Sequence, residues 1–145
     1  MFTQSQQIID RYMTEVWNKK NRSIIYEAFS EDALIHSPMG EARGPKSLDD
    51  AVRQWHEAFP DIRLMIMEVF ENGNKVAVQW SAKGTHKGPF LGIPATMQPI
   101  HCGGVSMYRL EKDRIVEYWA YINLHNLALQ LQGKEVNYGV HIAPL

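Results

Sequence analysis

The chain of 145 residues has little from which a covalent or electrostatic site is usually built. It contains one cysteine, Cys102, so a disulfide within the chain and a cysteine-based zinc site are both excluded. Lys and Arg together number 15, against 16 for Asp and Glu. Because this balance gives no broad basic surface for phosphates or anionic lipid, we expect no nucleic-acid partner.

Long apolar runs and several motifs are missing as well. Residues 1–13 interrupt their apolar positions with Gln, Asp and Arg, which is typical of neither a signal peptide nor a membrane span. The six histidines form no HxH or HxxxH pair, so we expect no metal site. The sequence has no nucleophile elbow and no phosphate loop. We therefore expect a cytoplasmic protein that needs no cofactor and does not contact a membrane.

The first 60 residues are predicted to be mainly helical. Apolar residues recur at helical spacing over residues 3–17, with Thr3 or Ser5 as a possible cap, and a shorter helix is predicted over residues 22–29. A short strand is expected at 33–36. A third helix begins after Gly44, with Ser47 as its cap, and ends at Pro60.

From residue 61 onward, alternation of apolar and polar residues replaces the helical spacing. The pattern predicts strands over 62–70, 75–86, 99–110 and 114–123, with a hairpin at 72–74 and a final helix over 124–132. Helices followed by antiparallel strands indicate an α+β fold. We expect one domain over residues 1–133, followed by a tail over 134–145. A long curved sheet wrapped on the N-terminal helices would form a cone with a cavity inside.

Three stretches resemble the SnoaL-like polyketide cyclases, or ester cyclases, of the nuclear transport factor 2-like superfamily. They are residues 58–61 (AFPD), residues 84–94 (GTHKGPFLGIP), and residues 108–119 (YRL to IVEYW), the last continuing to 130–133 (QLQG). Their order and spacing resemble the family's over residues 5–133. The resemblance implies a cone-shaped, antiparallel or mixed sheet of the cystatin-like type, and it favours a homodimer.

The resemblance also implies an activity, an aldol ring closure of a polyketide ester by acid/base chemistry without metal or cofactor. The family places an aspartate four residues after the Trp of its last strand, and Asn123 occupies that position here. An amide donates and accepts hydrogen bonds but does not exchange a proton near neutral pH. We expect the Asn123 amide to open into the cavity.

Residues of the last strand that share one face are the first site candidates. Trp119, Tyr121 and Asn123 have the same parity, so if the family's geometry holds they face the cavity together. Two simpler interpretations stay open. Trp119 is equally expected as a large core residue, and Asn123 as the cap of the final helix.

The remaining candidates come from histidines and aromatic residues near the expected mouth of the cone. His86, next to a glycine-rich loop, is the candidate acid/base in place of the missing aspartate. We expect substrate contacts from five further positions besides Trp119 and Tyr121, although a histidine at a strand end is often only solvated. Together the substrate-binding candidates are His36, Trp55, Phe59, Phe90, His101, Trp119 and Tyr121, and the catalytic candidates are His86 and Asn123.

These patterns predict a protein with a pocket for a small hydrophobic molecule. One hypothesis is a cofactor-free lyase, isomerase or cyclase that acts on a hydrophobic ketone or ester. The second is a binding module that holds a hydrophobic metabolite without changing it, which the amide at Asn123 favours. The third is a dimeric scaffold that keeps a residual cavity.

Overall fold

The computed structural model describes residues 2–134, so all of the predicted tail (134–145) except residue 134 lies outside the described residues. Within these residues, four α-helices and six strands form a mixed α+β arrangement; this fold class was predicted, whereas strand β2 was not. In chain order they are α1 (Gln4–Tyr12), a π-helical turn (Met13–Asn18), α2 (Ser23–Ala28), β1 (Phe29–Ser37), β2 (Gly40–Arg43), α3 (Pro45–Ala58), β3 (Arg63–Asn72), β4 (Lys75–Thr85), β5 (Pro99–Glu111), β6 (Arg114–Ile122) and α4 (Leu124–Leu131).

Each helix begins and ends where local chemistry allows it. The Thr3 side chain accepts a hydrogen bond from the Gln6 amide at 3.2 Å and caps α1. Helix α3 starts directly after Gly44 with Pro45 in its first turn, so Ser47 is not its cap. Instead, the Ser47 hydroxyl donates to the Gly44 carbonyl at 3.0 Å.

The first predicted helix changes character half-way, because residues 13–18 form a π-helical turn. Such turns are rare and often occur at functional sites. This one points Met13 and Trp17 toward the interior. It also brings Asn18 against β3, where its side chain forms hydrogen bonds of 2.7 and 3.0 Å with the backbone of Leu64.

The sheet has the strand order β2-β1-β6-β5-β4-β3. All neighbours are antiparallel except β1 and β6, which are parallel. Two tight turns set the register, one at Gly73 (φ 62°) between β3 and β4 and one at Lys112 and Asp113 (φ 51° and 62°) between β5 and β6. Positive φ at these turn residues matches the right-handed twist of the strands.

Two apolar clusters hold the layers together. The larger packs α1, α2 and α3 on β1 and the central strands, around Tyr12, Phe29 and Tyr108. The smaller packs the end of α3 and the loop after β4 on α4, around Phe59, Phe90 and Leu127. Within residues 2–134, no helix is long and apolar enough to cross a membrane.

Candidate functional site

A cavity of about 300 Å³ lies between the helices and the inner face of the sheet, where the two apolar clusters meet. Most of its wall is apolar or aromatic. The residues that line it from the helices include Met13, Trp17, Leu48, Val52 and Trp55, and those from the sheet include Ile35, Trp80, Cys102, Ser106, Tyr108, Tyr118, Ala120 and Ile122. A volume of this size lies at the lower end of the range for pockets that bind small organic molecules.

Buried hydroxyl groups form a polar patch on the sheet side of the cavity. Ser106 is 3% exposed, and its oxygen accepts a hydrogen bond from the Trp80 indole at 3.0 Å. Tyr108 and Tyr118 pack beside it with ring centroids 5.2 Å apart. Burial raises the pKa of Tyr118 to about 12 despite a hydrogen bond with Ser106, so this phenol keeps its proton at neutral pH and can donate it.

The charged groups of the cavity lie at its other, solvent-exposed end. Glu41, on β2, has a side chain that is 79% exposed, and Asp50, on α3, has one that is 43% exposed. Asp50 also lies 3.5 Å from Lys46 and 3.8 Å from Arg53. The cavity therefore has neutral donors at its buried end and carboxylates at its opening.

Trp55 is the one predicted substrate contact that lines this cavity. Its ring packs against Phe90 at 4.6 Å and Phe59 at 5.7 Å between centroids. Phe90 and Phe59 are 5% and 0% exposed and belong to the smaller apolar cluster. They pack against the Trp55 ring and are not part of the cavity wall.

The face of β6 that points inward differs from the expected one. Tyr118, Ala120 and Ile122 line the cavity, whereas Trp119 and Tyr121 lie on the opposite, outer face of the sheet, where Tyr121 is 57% exposed. Side chains alternate between the two faces along a strand, so a prediction that chooses the wrong parity assigns every side chain of that strand to the wrong face.

On this outer face, His36 and Trp119 stack with ring centroids 5.4 Å apart and an angle of 18° between their planes. The His36 ring nitrogens lie 2.7 Å from Glu117 and 3.0 Å from Glu41. Hydrogen bonds to Glu117 and then Glu41 raise the His36 pKa. Glu117 also pairs with Arg109 at 3.1 Å, so His36 belongs to a surface ion-pair network and not to the cavity.

Asn123 is exposed and caps α4, where its side-chain oxygen accepts a hydrogen bond from the Asn126 amide at 2.9 Å. It borders a shallow depression on the outer face together with Trp119. The expectation that its amide opens into the interior is therefore wrong for this geometry, and the helix-cap interpretation is confirmed.

His86 is fully buried but does not line the cavity. Its Nδ1 lies 2.9 Å from the Thr96 hydroxyl and accepts a hydrogen bond from the Thr96 amide at 3.3 Å. The backbone of His86 bonds to Gln98 and Met97. These contacts close the loop between β4 and β5, while a catalytic role for His86 stays a prediction.

His101 lies at the exposed end of β5, and its backbone binds the Gln130 side chain at 2.9 and 2.8 Å. It anchors α4 to the sheet and is not brought to the cavity. Among residues 2–134, no group of three or more His, Cys, Asp or Glu side chains is arranged to hold a metal ion.

Comparison with known families agrees with this architecture. The family model of the SnoaL-like polyketide cyclases matches residues 7–131. The chain belongs to the SnoaL-like polyketide cyclase family. Among curated proteins, none matches it.

Solved structures of SnoaL-like and related proteins share the fold. A candidate SnoaL-like polyketide cyclase from Jannaschia sp. CCS1 is 21% identical with a TM-score of 0.83, covering 88% of this chain and 91% of its own. AclR, a candidate hydroxylase from Streptomyces galilaeus, is 24% identical with a TM-score of 0.81, covering 93% and 85%. IdmH, a candidate polyketide cyclase from Streptomyces antibioticus, is 27% identical with a TM-score of 0.78, covering 90% and 99%.

Sequence reasoning missed most of the cavity wall of this SnoaL-like protein. Trp17, Trp80 and the hydroxyl patch of Ser106, Tyr108 and Tyr118 were not among the candidates. The signal for the patch is present in the sequence, because Ser106 and Tyr108 share one parity of β5 and Tyr118 faces them across the hairpin. Polar side chains among the otherwise apolar, inward-facing residues of a strand predict the wall of a cavity. In this chain they are a better signal than the histidines.

Proposed function

We propose that the protein binds a small, neutral, largely apolar carbonyl compound in the interior cavity. The observation that carries this proposal is the pairing of an apolar space of about 300 Å³ with a buried patch of hydroxyl groups. Apolar walls favour an apolar body. A few convergent polar groups at one end are typical of sites that orient a ligand.

The chemistry of the buried end favours a hydrogen-bond acceptor. The Trp80 indole donates its one N–H to Ser106, so the donors left for a ligand are protonated phenols such as that of Tyr118. A ligand carbonyl oxygen would accept a hydrogen bond there. An ammonium group would not be stabilised, because the carboxylates of Glu41 and Asp50 lie at the exposed end.

A second candidate function is the family's cofactor-free ring closure, which family membership favours. An aldol closure forms a carbon–carbon bond while a proton leaves carbon and another reaches the carbonyl oxygen, so it needs a base and a donor. The phenols would supply the donor, and the Asp50 carboxylate, which lines the cavity from α3, would supply the base. The same fold carries different described activities, as AclR and IdmH show, so fold alone does not select between binding and catalysis.

Binding is tested by calorimetry with acetylnaphthalene and with ethylnaphthalene, which has the same body but no carbonyl. We expect the ketone to bind more tightly, and Tyr118→Phe to remove most of this advantage, a factor of about ten, because one buried hydrogen bond is lost. Tyr121→Phe, on the outer face, is the matched control and should change neither affinity. Equal affinities for both compounds in the native protein would reject the carbonyl assignment.

Catalysis is tested separately, by following exchange of the acetyl protons of bound acetylnaphthalene for deuterium. If the native protein exchanges these protons faster than solvent does, and Asp50→Asn loses this exchange but still binds the ketone, Asp50 is assigned as the base of the ring closure. Loss in His86→Ala with binding intact would assign that role to His86. If the native protein binds acetylnaphthalene but shows no exchange above the solvent rate, the cyclase candidate is rejected and the protein is a binding module.

We also propose that two copies associate through the outer face of the sheet, in the cytoplasm. Large apolar side chains are exposed there, including Met65 (62%), Val105 (39%) and Tyr121 (57%). Exposed apolar patches of this kind are typical of interfaces. Val105→Lys should convert a dimer to a monomer in analytical ultracentrifugation, and a native protein that sediments as a monomer at all concentrations would reject the dimer and the scaffold hypothesis.

A further inference from the structure

Two side chains are shared between the interior cavity and a second recess on the surface. The second recess, which we call the cleft, measures about 370 Å³ and is lined by Met39, Gln54, Glu57, Pro89, Phe90, Leu91 and Gly92. Met39 and Gln54 also line the cavity. Among residues 2–134, the cavity and the cleft share only these two residues, which therefore lie at the boundary between them.

The two side chains at this boundary, Met39 and Gln54, are weakly held. Met39 lies at the tip of the β1–β2 hairpin and is 52% exposed, and a thioether side chain is flexible. Gln54 is exposed on α3, and within residues 2–134 its side chain forms no hydrogen bond with protein. Moving both side chains aside costs little packing.

The floor of the cleft is continuous with the cavity wall through one aromatic pair. Trp55 lines the cavity and Phe90 lines the cleft, and their ring centroids are 4.6 Å apart. Phe90 is held in turn by Phe59 at 5.2 Å. An apolar group that leaves the cavity along Trp55 would meet Phe90 next.

The rim of the cleft contains an apolar side chain in a strained position. Phe90 and Ile93 exchange backbone hydrogen bonds of 3.0 and 2.9 Å around a tight turn whose central residues, Leu91 and Gly92, have φ of 52° and 74°. Asn or Gly would adopt this conformation more easily than Leu. The chain nevertheless keeps a leucine there, 40% exposed, and strain of this kind is often retained for function.

We propose that the cleft is a second subsite for the same ligand, taking an apolar extension that passes between Met39 and Gln54. This inference rests on the proposed binding function. It specifies the ligand further as an elongated neutral carbonyl compound, with its carbonyl end in the cavity and an alkyl chain or second ring against Phe90 and Leu91. The apolar lining of the cleft argues against a charged extension, and Glu57 at its rim argues against an anionic one.

The test compares two probes, acetylnaphthalene and acetylnaphthalene that carries a hexyl chain on its distal ring, by calorimetry. The native protein should bind the hexyl probe at least about tenfold more tightly, because part of the chain is buried in the cleft. Leu91→Asn keeps a residue that tolerates the turn but removes the apolar contact. It should reduce the advantage of the hexyl probe about fivefold and leave the short probe unchanged.

Phe70→Asn is the matched control, because Phe70 is an apolar residue 63% exposed on β3, away from the cleft. It should change neither affinity. If the hexyl chain gives no advantage, or if Leu91→Asn and Phe70→Asn have the same effect, the second subsite is rejected while binding in the cavity stands. If the native protein binds neither probe, the proposed function fails, and the second subsite fails with it.

Discussion

The two faces of the sheet use the same strands for opposite purposes. On β6, Tyr118 faces inward among buried hydroxyl groups and aromatic rings, while Glu117 and Trp119 face outward into an ion-pair network around His36. The inner face has neutral donors and an enclosed space. The outer face has charges that neutralise one another and apolar side chains exposed to solvent.

This difference shows where chemistry can be specific. Inside, water does not compete for hydrogen bonds, so a single hydroxyl such as that of Ser106 can orient a ligand. Outside, the His36 and Glu117 pair is screened by solvent and contributes little energy. The histidines have the most familiar catalytic chemistry, yet none of those within residues 2–134 lines the cavity of this SnoaL-like protein.

The largest expected contrast between the faces comes from two tyrosines on β6. Tyr118→Ala should lower the free energy of unfolding by about 3–5 kcal/mol, because it removes a buried ring that packs on Phe29 and Tyr108. Tyr121→Ala should cost under about 0.5 kcal/mol in the monomer, because that ring is exposed. Urea unfolding at low protein concentration measures both. Similar costs for the two variants would break the comparison.

A smaller effect is expected at Asn123, whose side chain caps α4. Asn123→Ala should lower the free energy of unfolding by about 1 kcal/mol, whereas Asn123→Asp should be nearly neutral because Asp caps helices as well as Asn. Thermal unfolding of the three proteins gives the order. If Asn123→Ala is as stable as the native protein, the cap contributes nothing to stability, and the role of position 123 is again open.

The smallest effect is the pH dependence of the outer network. The His36 pKa is raised above its ordinary value of 6.5, chiefly by Glu117, so the stability it adds is complete below that value and is lost as the pH rises through the raised pKa. The Glu117 pKa is lowered, chiefly by His36, from 4.5, so its contribution is lost as the pH falls through the lowered pKa. The network is strongest between about pH 4.5 and 6.5.

His36→Gln should therefore destabilise the protein by about 0.2–1 kcal/mol at about pH 5.5 and by less at about pH 8.5. Differential thermal unfolding at the two pH values measures this. The matched control is His101→Gln, because His101 is also an exposed histidine on the sheet but lies outside the network. A larger loss at the higher pH would contradict the sign of the His36 shift.

The sequence predicts the fold better than the site, for a physical reason. Turns such as the one at Gly73 need particular residues, and helix α3 starts directly after Gly44 and ends at Ala58, shortly before Pro60, so boundaries leave a local signal. Strand β2 leaves none, because all four of its residues are exposed and lack alternation. It was missed for that reason.

The site depends on which face of β6 points inward, and no local signal decides that. Both parities carry large apolar or aromatic residues, Tyr118 and Ile122 on one and Trp119 and Tyr121 on the other. The choice is made by packing against helices that are distant in sequence. Trp55 lies on the cavity wall because α3 presents one apolar stripe to the interior, whereas a strand with two apolar faces leaves the choice open. Its contact with a substrate stays a prediction.

The most direct test of the account is to fill the cavity from the inner face and to compare the same substitution on the outer face. Ala120 lines the cavity, and Ala77 lies on the other side of the sheet, opposite Phe70 and Met107. Acetylnaphthalene binding by calorimetry should be lost in Ala120→Phe and unchanged in Ala77→Phe. Ala51→Phe fills the cavity from α3 and should repeat the loss. Full binding by folded Ala120→Phe and Ala51→Phe proteins would contradict the claim that the ligand lies inside the sheet.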